Sequence, residues 1–103
     1  MASVQRPDGQ TITRDAPTVE KPRRHKVLLL NDNYTTMDFV IAVLQHVFRK
    51  THDDAYRIML AVHRQGMGVA GVYVKDVAKM KCDAVHAMAR EHGFPLRCTT
   101  EPE

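Results

Sequence analysis

KVLLLNDNYTTMDFVIAVL, residues 26–44, is the stretch on which the reading of the fold turns. Residues 26–30 are an apolar run of strand length, closed by Asn31-Asp32-Asn33, a cluster of turn-forming side chains. After it the period changes. Met37, Val40, Ile41, Val43, Leu44, Val47 and Phe48 recur at the three-and-four spacing of a helix with one buried face. Thr35, with Asp38 three residues later, reads as a capping box that opens that helix. A turn needs only one or two residues rich in hydrogen-bond acceptors. Three in a row, beside a methionine, make a candidate receptor for something positively charged.

The pattern continues outward from that stretch. Thr51 and Asp54 repeat the capping signal, and a second helix carries Ala55, Ile58, Met59 and Val62 on one face. Gly66 is suited to end it. GVAGVYV, residues 68–74, is rich in β-branched residues and reads as a strand. A third helix is expected over 76–92, with Val77, Met80, Ala84, Val85 and Met88 inward. Its start is weakly capped, because neither Val74 nor Lys75 is a good cap, and Gly93 and Pro95 stop it. LRCTT, residues 96–100, supplies a last strand. The order β-α-α-β-α-β predicts an α+β domain, three helices packed on a small three-stranded antiparallel sheet.

Upstream, residues 1–24 contain three prolines, few aliphatic residues and no aromatic one. Such a segment buries too little surface to offset its ordering entropy, so a flexible N-terminal arm is expected at 1–24 and a folded core at 25–103. With 103 residues the chain suffices for one domain. Its net charge of +3 invites a nucleic-acid reading. The charge is in the wrong place for that. Residues 1–26 hold six Lys/Arg against three Asp/Glu, whereas residues 27–103 hold nine of each. A nucleic-acid-binding domain shows its basic stripe on the folded part. There is no secretory pattern at the start and no apolar run approaching the roughly 18 residues of a membrane span, so a cytoplasmic protein with free thiols is expected.

Candidate chemistry is sparse. Six histidines, at 25, 46, 52, 63, 86 and 92, form neither HExxH nor a zinc spacing with Cys82 or Cys98, so no metal and no cofactor are expected. Ser3, the only serine, lies in the arm without a nucleophile elbow. Cys82 and Cys98 read as packing thiols. No catalytic residue is assigned, which leaves an enzyme centred on His63 weakly supported. His63 follows Met59 by four and shares its face. On its own it reads as a surface or satisfied core histidine. Methionines 37, 59, 80 and 88 read as core filler, although thioethers also line pockets that admit apolar groups of several shapes.

Three blocks, VLLLNDNYTTMDFVIAVL, IMLAVHRQGMGVAGVYVKDVAKMK and AREHGFPLRCT, resemble the ClpS family, bacterial N-degron adaptors of the Clp protease. The likeness spans about residues 25–101. It implies a non-enzymatic adaptor that binds the free α-amino group and the bulky first side chain of a substrate beginning with Leu, Phe, Tyr or Trp. The adaptor then passes the substrate to a ClpA-type AAA+ unfoldase through that partner's N-terminal domain. By the family pattern Asn31 and His63 accept ammonium N–H groups, Asn33 lies beside the ammonium, and Asp32 supports the loop, together with Thr35 and Thr36. Met37, Val40, Met59, Val62 and Leu96 are assigned to the apolar pocket, with Met37 crowding the substrate Cβ so that Ile and Val are rejected by shape. Hydrogen bonds to a charged group contribute about 1.5–3 kcal/mol each, and burial of a Leu or Phe side chain roughly the same, enough together for micromolar binding.

The same pattern puts Asp76 and Lys81 on the unfoldase and has the arm help delivery. It also implies a monomer; from the charge distribution and the apolar runs no nucleic-acid and no membrane partner is expected, and the alternative is a small basic nucleic-acid- or ribosome-associated domain. Two positions depart from the family. Asn33 stands where Asp is common, removing a charge next to the ammonium, and Thr36 stands where Pro is common. Weaker binding, or a narrower set of first residues, is expected from Asn33.

Overall fold

The computed structural model describes residues 3–5, 11–13 and 23–103. The elements run β1 (Ser3–Gln5), β2 (Thr11–Thr13), β3 (Arg24–Leu30), α1 (Met37–His46), α2 (His52–Gln65), β4 (Met67–Val74), α3 (Lys75–His92) and β5 (Arg97–Pro102). From β3 onward this is the β-α-α-β-α-β order expected from the sequence. Its sheet is three-stranded and antiparallel, in the order β4-β3-β5. Among the described residues β1 and β2 pair only with each other, Val4 opposite Ile12, a ladder not foreseen from the composition of the arm. The flexible arm is expected to reach residue 24, but Arg24 already belongs to β3; the rest of that expectation falls on residues outside the described ones.

β3 is central, which explains its unbroken apolar run: Val27, Leu28 and Leu29 are 0–4% exposed. Alternation sends Val27 and Leu29 to the helices and Leu28 to the other face. β3 begins at Arg24 rather than Lys26, because Arg24 and Glu103 close the end of the sheet. The Glu103 N–H donates to Arg24 O at 2.9 Å, and Arg24 Nε lies 2.9 Å from Glu103 Oε1. Against β4, Val27 faces Gly71 but Leu28 faces Val69. Ala70 is thus the extra residue of a bulge, and it is turned wholly into the core.

All three helices lie on one face of this sheet, as their buried sides require. Thr51 caps α2 as expected, accepting from Asp54 N at 3.2 Å. The cap of α1 differs from the sequence reading. Thr36, with extended backbone, accepts from Phe39 N at 3.1 Å, while Thr35 turns its hydroxyl back to Asp32. Two consecutive threonines offered the same signal, and the carboxylate of Asp32 drew off the first.

The inward face of α3 is corrected in part: Val85 is buried and Met88 packs against the core as expected, but Met80 and Ala84 face outward. Ala78, Cys82, Val85 and Ala89 are buried, whereas Met80 is 67% exposed and Ala84 exposed. Two apolar stripes run along this helix, and size decided between them: alanines at 78 and 89 let it lie close on the sheet, which the bulkier stripe does not. The weak start is as expected, Val74 making no side-chain cap bond. At the other end, Gly93 (φ 75°) turns the chain so that the Phe94 ring reaches Phe39, with centroids 4.6 Å apart. Leu96, expected to open the last strand, precedes it and is buried in the core.

Candidate functional site

The polar loop after β3 is held at its start by β4 and the cap of α2. Asn31 donates its backbone N–H to Gly66 O at 2.9 Å, and Leu30 pairs with Met67. Gly66 is the left-handed cap of α2 (φ 89°), its own N–H bonded to Val62 O. Two residues on, Gly68 lets α2 approach the sheet: a Cβ there would lie 2.8 Å from Val62 Cγ2 and 3.1 Å from Ile58 O. These contacts carry the start of the loop to the last turn of α2, which bears His63. That end of a helix concentrates partial negative charge, a favourable place for a cation.

Within the loop, Asp32 is the organiser. Its Oδ1 accepts from Tyr34 N at 2.8 Å and Thr35 N at 2.7 Å, and its Oδ2 accepts from the Thr35 hydroxyl at 2.6 Å. Partial burial pushes the Asp32 carboxyl up. The Thr35 hydroxyl, the two backbone N–H groups and the charge of Arg97 outweigh this and hold it below its ordinary value of 3.8. The carboxylate is therefore ionised and fully employed inside the loop. Asn31, Asn33 and His63, in contrast, are exposed, and their side chains have no hydrogen-bond partner among the described residues. Their polar atoms remain free for a ligand.

The residues expected to form an apolar wall divide into surface and interior. Met37, at the start of α1, is 43% exposed. Val40, Met59, Val62 and Leu96 are 2–5% exposed and belong to one core cluster. Met37 is one turn before Val40, and Met59 one turn before His63, so both helices lead from the surface residues to this buried floor. The floor is closed in this structure. The concavity beside the loop is lined instead by Leu30, Asn31, Asp32, Asn33, Tyr34, Pro95 and Arg97 and encloses about 460 Å³. Tyr34 and Arg97 carry no signal in the sequence that marks them for this site, and Pro95 reads there only as a helix stop. Only the pairing of Leu30 with Arg97 brings the last two there.

Asp76 and Lys81 do not share a depression. Exposed Asp76 borders one with Arg23, His25, Val74 and Lys75, where His25 Nδ1 is buried without a hydrogen-bond partner among the described residues. Lys81 borders another, with Val77, Met80 and Ala84. Nor is Lys81 a freely solvated charge: its Nζ donates to Val47 O at 2.7 Å and stands 5.5 Å from the centroid of the Tyr73 ring. Among the described residues, no three His, Cys, Asp or Glu side chains converge as metal ligands, and no helix is long and apolar enough to cross a membrane.

This sheet, its three one-sided helices and the loop tied to the end of α2 define the class: a small α+β domain that holds a polar loop open to a ligand. The sequence model described as "ATP-dependent Clp protease adaptor protein ClpS" matches residues 20–99. The chain belongs to the ClpS family. It is 55% identical over 95 residues to the ATP-dependent Clp protease adapter protein ClpS of Desulfatibacillum aliphaticivorans, covering 92% of this chain and 91% of that one. The ClpS of Myxococcus xanthus (strain DK1622) is 52% identical over 105 residues, covering all of this chain and 98% of its own. Among solved structures, Agrobacterium tumefaciens ClpS2 bound to L-phenylalaninamide superimposes with a TM-score of 0.78 at 44% identity, over 81% of this chain and 100% of that one.

Proposed function

We propose that the chain binds proteins and peptides that begin with an unblocked Leu, Phe, Tyr or Trp, and delivers them to the Clp protease through the unfoldase. The observation that carries this reading is the pairing of free polar atoms with a fixed loop. Asp32 spends its carboxylate holding the turn, while Asn31, Asn33 and His63 keep theirs unengaged beside the C-terminal turn of α2. An α-ammonium has three N–H donors and a full charge, so it needs acceptors that are already oriented. Asn31 and a ring nitrogen of His63 serve as two, and Asn33 contacts the third through water. L-Phenylalaninamide, the ligand of the Agrobacterium tumefaciens relative, carries the same two groups, an α-amine and a bulky apolar side chain.

The first side chain enters over Met37 onto Val40, Met59, Val62 and Leu96. Because these four are closed in the core, binding requires the thioethers of Met37 and Met59 to swing aside. Unbranched, flexible side chains do this at little cost. Asp76 and Lys81 dock on the N-terminal domain of a ClpA-type partner, and residues 1–24 act as an arm in delivery, the adaptor working as a monomer in the cytoplasm without making a covalent change. The balanced charge of residues 27–103 favours this over a nucleic-acid-binding domain. The test is fluorescence anisotropy with a labelled peptide that begins with Leu. Micromolar binding that disappears when the peptide's amino group is acetylated supports the reading; equal binding of the acetylated peptide refutes it.

A further inference from the structure

Two thiols that neither the loop nor the apolar wall employs meet inside the domain. Cys82, midway along α3, and Cys98, the second residue of β5, are each 7% exposed, and their Sγ atoms are 2.9 Å apart. Both are free cysteines. The sequence separates them by sixteen positions and gives no CxxC spacing, so only the packing of α3 on β5 makes them neighbours. A second contact fixes the same junction: the Cys98 N–H donates to Nε2 of His86, one turn after Cys82, at 3.0 Å. The two sulfurs therefore face each other without a conformational search.

From this arrangement we propose that Cys82 and Cys98 are a redox modification site, in which a peroxide oxidises the pair to an internal disulfide that staples α3 to β5. One sulfur, as thiolate, attacks a peroxide oxygen and becomes a sulfenic acid; the O–O bond breaks and the departing oxygen leaves as water. The second sulfur then displaces the sulfenic hydroxyl, which leaves as a second water while the S–S bond forms. Two thiols lose two electrons and two protons, and one hydrogen peroxide becomes two waters. Burial pushes both thiols above their ordinary range; the Asp83 charge adds to this at Cys82, whose hydrogen bond with Cys98 works the other way. Thiolate is consequently scarce and the first step slow. The second step has its partner in contact and is fast, so the sulfenic acid does not accumulate.

The bond would close a loop containing the end of α3, the Gly93 turn and Leu96. A closed loop of this size raises the unfolding temperature of a small domain by on the order of 10 °C. The role we assign is to hold the domain together while peroxide is present.

The full chain, exposed to hydrogen peroxide and alkylated under denaturing conditions, is digested with trypsin without reduction. Cleavage after Lys81, Arg90 and Arg97 isolates the thiols in peptides 82–90 and 98–103. The expected product is these two peptides joined, lighter by two hydrogens than their sum, with or without oxygen added at Met88. The oxidised chain should melt about 10 °C higher, and dithiothreitol should reverse the shift. Cys82→Val, which keeps an apolar side chain there, should give neither the cross-link nor the shift. Recovery of both peptides alkylated, a sulfinic acid at either cysteine, a peroxide-dependent dimer on a non-reducing gel, or a cross-link without change in melting would each overturn the proposal.

Discussion

Asp32→Ala tests how the loop is held. The substitution removes three accepted hydrogen bonds, from Tyr34 N, Thr35 N and the Thr35 hydroxyl. Hydrogen bonds to an ionised group contribute about 1.5–3 kcal/mol each when they cannot be replaced. Here the freed N–H groups lie near the surface and gain water, so the expected loss of folding stability is much smaller, about 1–2 kcal/mol. The larger effect falls on binding. Once the turn loosens, Asn31 must be ordered by the ligand itself, and affinity for a Leu-initiated peptide should drop about tenfold for each 1.4 kcal/mol so spent. Asp32→Asn keeps one oxygen for the two backbone donors and should lose less. Urea unfolding and peptide anisotropy measure both quantities, and Thr35→Val completes a double-mutant cycle in which the two changes should be strongly non-additive. Unchanged affinity in Asp32→Ala, or additive losses in the cycle, would refute the reasoning. The sign of the pH effect follows from the depressed carboxyl. Its stabilisation is fully present above the unfolded value, near 3.8, and is lost as pH falls through the lower folded one. Acid unfolding of the wild type should contain a component below about pH 4 that Asp32→Asn lacks.

Asn33→Asp should tighten binding of Leu-, Phe-, Tyr- or Trp-initiated peptides by restoring a charge beside the ammonium; titration showing no gain with any of them would remove Asn33 from the account. Met37→Ala should admit peptides beginning with Ile or Val, which the wild type should reject in the same anisotropy assay. Gly68→Ala places a methyl group against Val62 and the Ile58 carbonyl and should cost about 1–3 kcal/mol in a denaturant titration, with weakened peptide binding because the end of α2 shifts. Deleting residues 1–22 should spare peptide binding and abolish degradation of a Leu-initiated substrate by the reconstituted unfoldase and protease; equal degradation would argue against a role for the arm.

Particular residues show what the sequence carried. The apolar run before Asn31, the helical spacing after it, Thr51 and the two terminating glycines each act within one turn of chain, and the structure agrees with them. The failures needed knowledge of neighbours. Thr35 and Thr36 are equivalent caps until Asp32 takes one hydroxyl. On α3 two stripes have helical spacing, and only the closeness of the sheet selects the alanine-bearing one. The site divides in the same way. Asn31, Asp32 and Asn33 stand out as a polar cluster within one motif, whereas His63 gained meaning from family resemblance, and the Asn31–Gly66 bond supplies its connection to the loop. The facing of Cys82 and Cys98, sixteen residues apart, has no local signature at all.

A crystal structure of this chain with a short Leu-initiated peptide tests the central claim most directly. The peptide nitrogen should lie within hydrogen-bond distance of the Asn31 side-chain oxygen and a His63 ring nitrogen. Its leucyl group should be seated among Met37, Val40, Met59, Val62 and Leu96, with Met37 and Met59 moved from their positions here. A peptide bound elsewhere, or one whose nitrogen touches neither Asn31 nor His63, would contradict the account.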